Sequence, residues 1–284
     1  MRQLYHYATI TLYSSHSMNP FRYKADILPV TLFVLYFILD IFMYLRIESI
    51  VILSIYLLTS IIVKVFICAW NHHHQHVQTF TFPLLNRFLE VIYAFQTGTV
   101  GYGWVLHHNL GHHMHYLDQS QDESAWKSPT GKRYHPFVYT LIVTMTAYYR
   151  SCKVGKKFPQ IQRYFIRMCV LQLVLLSILI AYEPLAGTLI FLVPMITGLF
   201  LTVYTTYHHH SGLESTDHHQ SSYNIIEWWY NLLTGNLGFH TAHHMKGSLH
   251  WSKLPEYHKE IESKIDPKYY KKYKLFWYET AESL

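Results

Sequence analysis

Residues 50–76 read IVILSIYLLTSIIVKVFICAWNHHHQH, an apolar run that leads directly into a group of histidines. Residues 50–68 approach the roughly 20 apolar residues that a helix needs to cross a bilayer core. Lys64, near the end of that run, has a side chain long enough to reach the membrane surface. The stretch therefore predicts a membrane helix that brings imidazoles to one face of the membrane.

Three further segments have the same apolar character, and they lie at residues 27–45, 164–181 and 185–203. Very short links join the four segments in pairs, at residues 46–48 and 182–184. Each pair is typical of a helical hairpin whose two arms cross the membrane in opposite directions.

The basic residues indicate the orientation of these hairpins, because Lys and Arg accumulate on the cytoplasmic side. Apart from Lys64 and Arg167 at helix ends, only Arg46 falls on the outer side, so we expect both termini to be cytoplasmic. The predicted fold class is an all-α integral membrane protein, with four transmembrane helices in two hairpins and a cytoplasmic, helical, histidine-rich region. The single domain 1–284 divides into a cytoplasmic arm (1–26), a first hairpin (27–69), a cytoplasmic segment (70–163), a second hairpin (164–203) and a cytoplasmic segment with the tail (204–284).

The composition supports a membrane protein rich in metal-binding side chains. Only 14% of the residues are charged, against about 25% in soluble domains. The 22 histidines nearly equal the 23 Lys and Arg residues combined. The net charge is +6, but the basic residues lie in the segments beside the membrane helices, which argues against nucleic-acid binding. Cys68, Cys152 and Cys169 form no Cys-x-x-Cys motif, so we expect buried small side chains and no zinc ribbon, iron–sulfur cluster or disulfide.

Three other stretches are expected to lie on the membrane surface or against the histidine-rich region. Residues 82–106 carry charges and glycines, and residues 136–149 are too few to cross a bilayer. The tail at residues 261–278 alternates Lys with aromatic residues. Its composition fits a membrane-surface segment or, equally well, a solvated basic face.

The histidines outside the predicted spans fall into boxes with helical spacing. In the first box, His72 and His76 are four residues apart, which places both rings on one face of a helix. His73 with His76 is the alternative pair.

The second box contains His108, His112 and His113. On an α-helix, His108 and His112 share a face, while His113 points about 100° away and can reach a second metal. The third box has a similar arrangement, because its first and last histidines are four apart and its last two are adjacent. Its members are His240, His243 and His244.

The number of histidines in the boxes is too large for one ion, since a zinc or mononuclear iron site takes three or four protein ligands. Two metals are therefore predicted. Imidazole alone suits Zn, Cu, Fe and Ni, so the side chains do not select one of them.

The three boxes, His72-x-x-x-His76, His108-x-x-x-His112-His113 and His240-x-x-His243-His244, together with the two hairpins, resemble the integral-membrane fatty acid desaturase and alkane hydroxylase superfamily. The resemblance covers roughly residues 27–260. It implies two non-haem Fe ions that activate O2 and oxidise unactivated C–H bonds in lipid chains. The implied metal ligands and catalytic residues are His72, His76, His108, His112, His113, His240, His243 and His244.

Two further positions follow from the same resemblance. The string His210-Ser211-Gly212-Leu213 is similar to a motif of alkane hydroxylases, which makes His210 the ninth expected ligand, with His209 as the next choice. Asn231 also resembles a hydroxylase position, and a helix-capping or buried polar role is the alternative.

The resemblance implies a membrane non-haem diiron oxidoreductase of lipid metabolism, and we expect fatty acyl desaturation. One alternative is a monooxygenase-like hydroxylation of a fatty acid, alkane or carotenoid at the same site. The other alternative, a metal-binding or transport protein, is disfavoured because the four spans contain no histidine near the bilayer midplane. The chain lacks a cytochrome domain and a flavin fingerprint, so we expect a separate electron carrier of ferredoxin, rubredoxin or cytochrome type, besides membrane lipids and a lipid or hydrocarbon substrate.

Four carboxylates near the boxes are candidates to orient the ligand rings. A carboxylate that accepts the N–H of a ligating imidazole fixes its orientation and raises its basicity. The candidates are Asp118, Asp122, Glu123 and Asp217, and a solvated loop charge is the alternative for each.

Overall fold

The computed structural model describes residues 19–274 and 277–280, and this part of the chain is mainly helical. The first 18 residues of the predicted N-terminal arm and the last residues of the tail lie outside the described part. The α-helices are α1 (Ile27–Arg46), α2 (Ile50–His76), α3 (Pro83–Thr97), α4 (Pro136–Gly155), α5 (Pro159–Tyr182), α6 (Pro184–His210), α7 (Trp228–Thr234), α8 (His240–Met245) and α9 (Leu254–Ile261). The division of the chain into five segments of one domain stays a prediction.

Four of these helices are long and apolar enough to cross a membrane, which confirms the predicted spans. They are α1 with the preceding turn (Lys24–Arg46), α2, α5 and α6. Their outer surfaces expose large apolar side chains, such as Leu28 and Leu58, each 68% exposed. Since exposed apolar stripes of this length are stable only in lipid, the chain is an integral membrane protein.

Two of the spans continue well past the C-terminal ends that the sequence predicts, and this difference positions the functional residues. Helix α2 continues through the first histidine box to His76, and α6 continues to His210. Both histidine groups therefore form the last turns of membrane helices. A short π-helical stretch, Gly187–Leu192, interrupts α6 near its beginning.

The sequence predicts that Lys64 reaches the membrane surface, but the structure places it elsewhere. Because α2 runs on to His76, Lys64 lies in the helix interior, where its side chain is 1% exposed. Its Nζ donates to Asp40 Oδ1 at 2.9 Å and to the Ile190 carbonyl at 3.0 Å. Tyr56 also donates to Asp40, at 2.8 Å. An internal ion pair thus ties α1, α2 and α6 together within the membrane.

Helices α3 and α4 do not belong to the four candidate spans, as the sequence predicts. The predicted bounds of α4 were too short, because the helix continues past residue 149 to Gly155 and has 20 residues. Helix α3 ends at Gly98, whose positive φ of 72° is a conformation that glycine adopts without strain. Helix α4 buries one face and exposes an apolar stripe that includes Leu141 and Met145. This stripe continues the apolar outer surface of the spans.

The tail folds back onto the histidine-rich region. Strands β1 (Lys271–Lys274) and β2 (Trp277–Thr280) pair antiparallel. Lys271 is buried, its Nζ donates to the His208 carbonyl at 2.8 Å, and it lies 3.4 Å from the centre of the Tyr223 ring. Lys271 is therefore not part of a solvated basic face, because its ammonium group is packed against the protein. Contact of the tail with the membrane surface stays a prediction.

Candidate metal centre

Four chain segments bring the predicted histidines to one end of the membrane helices. The ends of α2 and α6 contribute the first box and His210, and α8 contributes the third box. The second box lies on a π-helix, Val105–His113. All nine predicted ligands converge here, in two adjacent clusters.

Cluster A consists of His72, His76, His108 and His243, whose ligand atoms lie within 4.8 Å of one another. The Nε2 atoms of His72 and His243 are 3.0 Å apart. His113 joins this cluster, because its Nε2 lies 2.9 Å from that of His108 and 3.1 Å from that of His243.

Cluster B consists of His112, His210 and His244, with the same mutual spacing. The Nε2 atoms of His112 and His210 are 3.2 Å apart. His240 joins this cluster, since its Nε2 lies 3.0 Å from that of His210 and 3.1 Å from that of His244. The two clusters touch where the rings of His113 and His244 stack, with their centres 4.1 Å apart.

The π-helix changes the expected pairing within the second box. A π-helix closes hydrogen bonds between residues five apart, instead of the four of an α-helix. His108 therefore meets His113 in cluster A, and His112 turns to cluster B. The prediction that His108 and His112 share a face was wrong, because it assumed α-helical geometry.

The structure also separates the neighbouring histidines left open by the sequence, since some lie inside the clusters and others outside. His73 leaves the clusters and donates from Nε2 to the Thr234 carbonyl at 3.0 Å. His209 lies beside Tyr230, with 3.2 Å between its Nε2 and the hydroxyl, while the next residue, His210, enters cluster B. The pair of His73 with His76 is therefore not formed.

The nitrogen spacing fits metal coordination. A neutral imidazole carries one N–H and one lone pair, and here the Nε2 atoms of several rings point at one another. A metal–imidazole bond of about 2.1 Å, as for zinc, places neighbouring octahedral ligand atoms about 3 Å apart. The observed contacts of 2.9–3.2 Å match that spacing. Within the described residues, the buried Nε2 of His76 also has no hydrogen-bond partner.

Burial keeps the rings neutral, as metal ligands must be. The pKa values of the histidines from the second and third boxes that show a shift lie well below the ordinary value. The main cause is burial, and the neighbouring imidazoles add to it. These residues are His108, His113, His240, His243 and His244.

Comparison with known proteins gives the family of the chain. The family model for fatty acid desaturases matches residues 48–277, a range that includes all three boxes and His210. The chain belongs to the fatty acid desaturase family. No curated protein and no solved structure matched it. Membership in this family makes the chain an oxidoreductase-type membrane enzyme that acts on lipid chains.

Only one of the four candidate carboxylates contacts a box histidine of this desaturase-family chain within the described residues. His112 Nδ1 donates to Asp122 Oδ1 at 2.8 Å, which leaves its Nε2 lone pair for cluster B. Asp118 instead accepts from Ser120, Glu123 pairs with Lys153, and Asp217 accepts from His219. The prediction that these three carboxylates orient ligand rings was therefore wrong.

A backbone carbonyl that the sequence did not indicate orients the second ring of cluster B. His210 Nδ1 donates to the Ser221 carbonyl at 3.0 Å, which again leaves Nε2 for a metal. No sequence signal marks this contact, because every residue has a carbonyl group. Tyr116 was also missed. Its ring centre lies 4.3 Å from that of His244, its hydroxyl contacts His218, and burial raises its pKa to about 12.

Polar side chains lock the π-helix against the first box. Asn109 Nδ2 donates to the Gln75 carbonyl at 3.0 Å, and Gln75 Oε1 accepts from the Tyr102 backbone N–H at 2.9 Å. Gly111 lets the segment approach closely, because a Cβ there would lie 2.8 Å from Glu123 Cγ. The first and second boxes are thus fixed relative to each other.

Asn231 has the buried polar role rather than a place in either cluster. Its Nδ2 donates to the carbonyls of Ile225 and Glu227 at 2.8 and 3.1 Å, and its Oδ1 accepts from Gly238 N at 3.1 Å. These bonds hold the loop that leads into the third box. Asn231 therefore positions His240 indirectly, through the backbone.

Proposed function

We propose that the nine clustered histidines bind two non-haem irons, and that the protein uses O2 to oxidise an unactivated C–H bond of a lipid chain. The observation that carries this proposal is the convergence of nine imidazoles into two touching clusters in a member of the fatty acid desaturase family. Fatty acyl desaturation is the proposed reaction. A separate carrier of ferredoxin, rubredoxin or cytochrome type supplies the electrons.

The donor set divides between the two proposed irons. One iron is held by five histidines, namely His72, His76, His108, His113 and His243. The other iron is held by four histidines. The latter are His112, His210, His240 and His244. When bound, the irons would supply the O2 activation and the redox chemistry of C–H oxidation.

The protein orients the ligands and excludes water. Asp122 and the Ser221 carbonyl fix two rings of cluster B, so that their lone pairs face inward. Burial of the clusters keeps bulk water from the oxidising centre. Desaturation removes two hydrogen atoms from adjacent carbons, and one O2, two electrons and two protons balance the formation of two waters.

Hydroxylation of a fatty acid, alkane or carotenoid is the second candidate. The string from His210 to Leu213 resembles alkane hydroxylases, and His210 lies in cluster B. Hydroxylation needs the same O2, electrons and protons, and it inserts one oxygen atom and releases one water. Both reactions fit one metal centre, so the product distinguishes them.

The test is the lipid profile, by mass spectrometry, of cells that express the wild type or the double variant His243→Ala, His244→Ala, which removes one ligand from each cluster. The matched control is His135→Ala, His219→Ala, which removes two histidines outside both clusters. New double bonds in the wild type and control, but not in the ligand variant, support desaturation. New hydroxyl groups with the same dependence support hydroxylation, and an unchanged profile in iron-loaded cells supplied with a reductase contradicts both.

We also propose that the histidine clusters and both termini face the cytoplasm. The support is the distribution of Lys and Arg: at the ends of the four spans opposite the histidine clusters, Arg46 is the one basic residue, and Lys64 lies inside the protein. A reporter that is active only in the cytoplasm, fused after Leu284, is expected to be active. Activity of a reporter that works only outside the cytoplasm would reverse the orientation.

A further inference from the structure

A cavity of about 520 Å3, including its mouth, lies directly beside cluster A. His108, a member of cluster A, forms part of its wall, together with Trp104 and His107. The inner end of the cavity therefore reaches the proposed metal site.

Most of the remaining wall comes from three helices and is largely apolar. Helix α4 contributes Val143 and Ala147, α5 contributes Phe165, and α6 contributes Leu199 and Val203. Val143, Phe165 and Val203 are buried. An alkyl chain fits such a wall, since it carries no polar group that would need a hydrogen-bond partner there.

The cavity reaches the molecular surface between α4 and α6. Among its lining residues, the half-buried or exposed ones are Ala147 and Tyr148 on α4, and Leu199 and Thr206 on α6. The other lining residues are buried. Tyr148 stands at this mouth, and its hydroxyl donates to the Gly98 carbonyl at 2.8 Å.

The outer faces of the two helices that flank the mouth are apolar. On α4, Met145 is 78% exposed and Tyr149 is 71% exposed, and α6 exposes Ile196. Helix α6 is one of the four candidate membrane spans. The mouth therefore opens onto the same apolar surface that the spans present to lipid.

We propose that the substrate is a bilayer-resident lipid whose alkyl chain enters the cavity sideways from the membrane, between α4 and α6, past Ala147 and Tyr148. This inference rests on the proposed function, because it assigns the cavity to the substrate of the metal site. A lipid that enters by this route brings its chain to His108 without leaving the apolar phase. The alternative source of the same alkyl chemistry is a water-soluble acyl thioester that enters from the aqueous side.

Photolabelling of the purified full chain in lipid nanodiscs tests the route without requiring turnover. The probe is a phosphatidylcholine with a diazirine on its acyl chain, and mass spectrometry locates the labelled residues. Lateral entry predicts labelling of the buried residues Val143 and Val203. A second arm replaces the labelled lipid with a soluble diazirine-bearing acyl thioester, from which interior labelling is expected to be weaker.

The variant Ala147→Trp places an indole in the mouth, and we expect it to reduce interior labelling at least tenfold. Its matched control is Met145→Trp, the same change on the exposed face of α4, which keeps interior labelling. The wild-type labelling map needs no variant and stands even if Ala147→Trp fails to fold. Labelling confined to outward-facing residues, or interior labelling obtained only from the thioester, overturns the proposal. Iron content and lipid products are measured separately, so failure of lateral entry is distinguishable from failure of the proposed oxidation.

Discussion

Asp122 offers the sharpest test of how the protein holds the metal of cluster B. Its carboxylate, 1% exposed, accepts from His112 Nδ1 at 2.8 Å and from the Ser124 backbone N–H at 2.7 Å. The variant Asp122→Asn keeps a side chain of the same shape but removes the charge that fixes and activates the imidazole. Loss of such a partner costs about 10- to 100-fold in metal affinity, or about 1.4–2.7 kcal/mol.

The assay follows the iron retained by the purified protein against increasing concentrations of a chelator. We expect Asp122→Asn to release the metal of cluster B at a chelator concentration 10 to 100 times lower than the wild type, within the range given for such partners. Asp122→Ala is expected to release the metal at a still lower chelator concentration, because it also leaves the Ser124 N–H without its acceptor. Asp118→Asn is the matched control, since Asp118 lies on the same loop and bonds to Ser120 instead. A wild-type release curve for Asp122→Asn, or an equal shift for Asp118→Asn, would refute the orienting role.

Three further predictions concern the surrounding structure. Gly111→Ala places a Cβ 2.8 Å from Glu123 Cγ, so we expect a loss of about 1–3 kcal/mol in stability and less bound iron; unchanged iron content would contradict this. Lys64→Met leaves Asp40 buried without its cation, and unfolding in detergent should show a loss of about 3–5 kcal/mol that the added change Asp40→Leu recovers; full stability of the single variant would count against an internal ion pair. The metal-free protein should lose stability as the pH falls below about 6.5, by up to about 1.4 kcal/mol per pH unit for each buried histidine. The reason is that the unfolded chain takes up protons in this range, whereas burial lowers the pKa values of the histidines in the folded protein. A thermal unfolding temperature that stays constant from about pH 7.5 to 5 would contradict this prediction.

The membrane architecture could be predicted from the sequence because it depends on length and polarity. The apolar runs and their short links define the four spans without tertiary information. The continuation of α2 to His76 could not be predicted in this way, because the polar residues after Cys68 mark the end of an apolar run and not the end of a helix. For the same reason Lys64 was expected at the membrane surface, although it pairs with Asp40 inside.

The set of candidate ligands could also be predicted, but its division between two clusters could not. His72 and His76 meet as α-helical spacing requires. His112 and His113 exchange clusters relative to expectation, because the second box is a π-helix, and nothing in the spacing distinguishes that from an α-helix. Likewise, the contact of Asp122 with His112 depends on a loop conformation that local sequence does not determine.

The central claim is that the nine histidines hold two irons. Its most direct test is the iron content of the purified full chain, measured by element-specific mass spectrometry and normalised to protein, with Mössbauer spectroscopy to identify the coordination. We predict two irons per chain in the wild type, and little or none in the variant His112→Ala, His243→Ala, which removes one ligand from each cluster. A folded wild-type protein that binds no iron after reconstitution, or a double variant that retains both irons, would contradict the account.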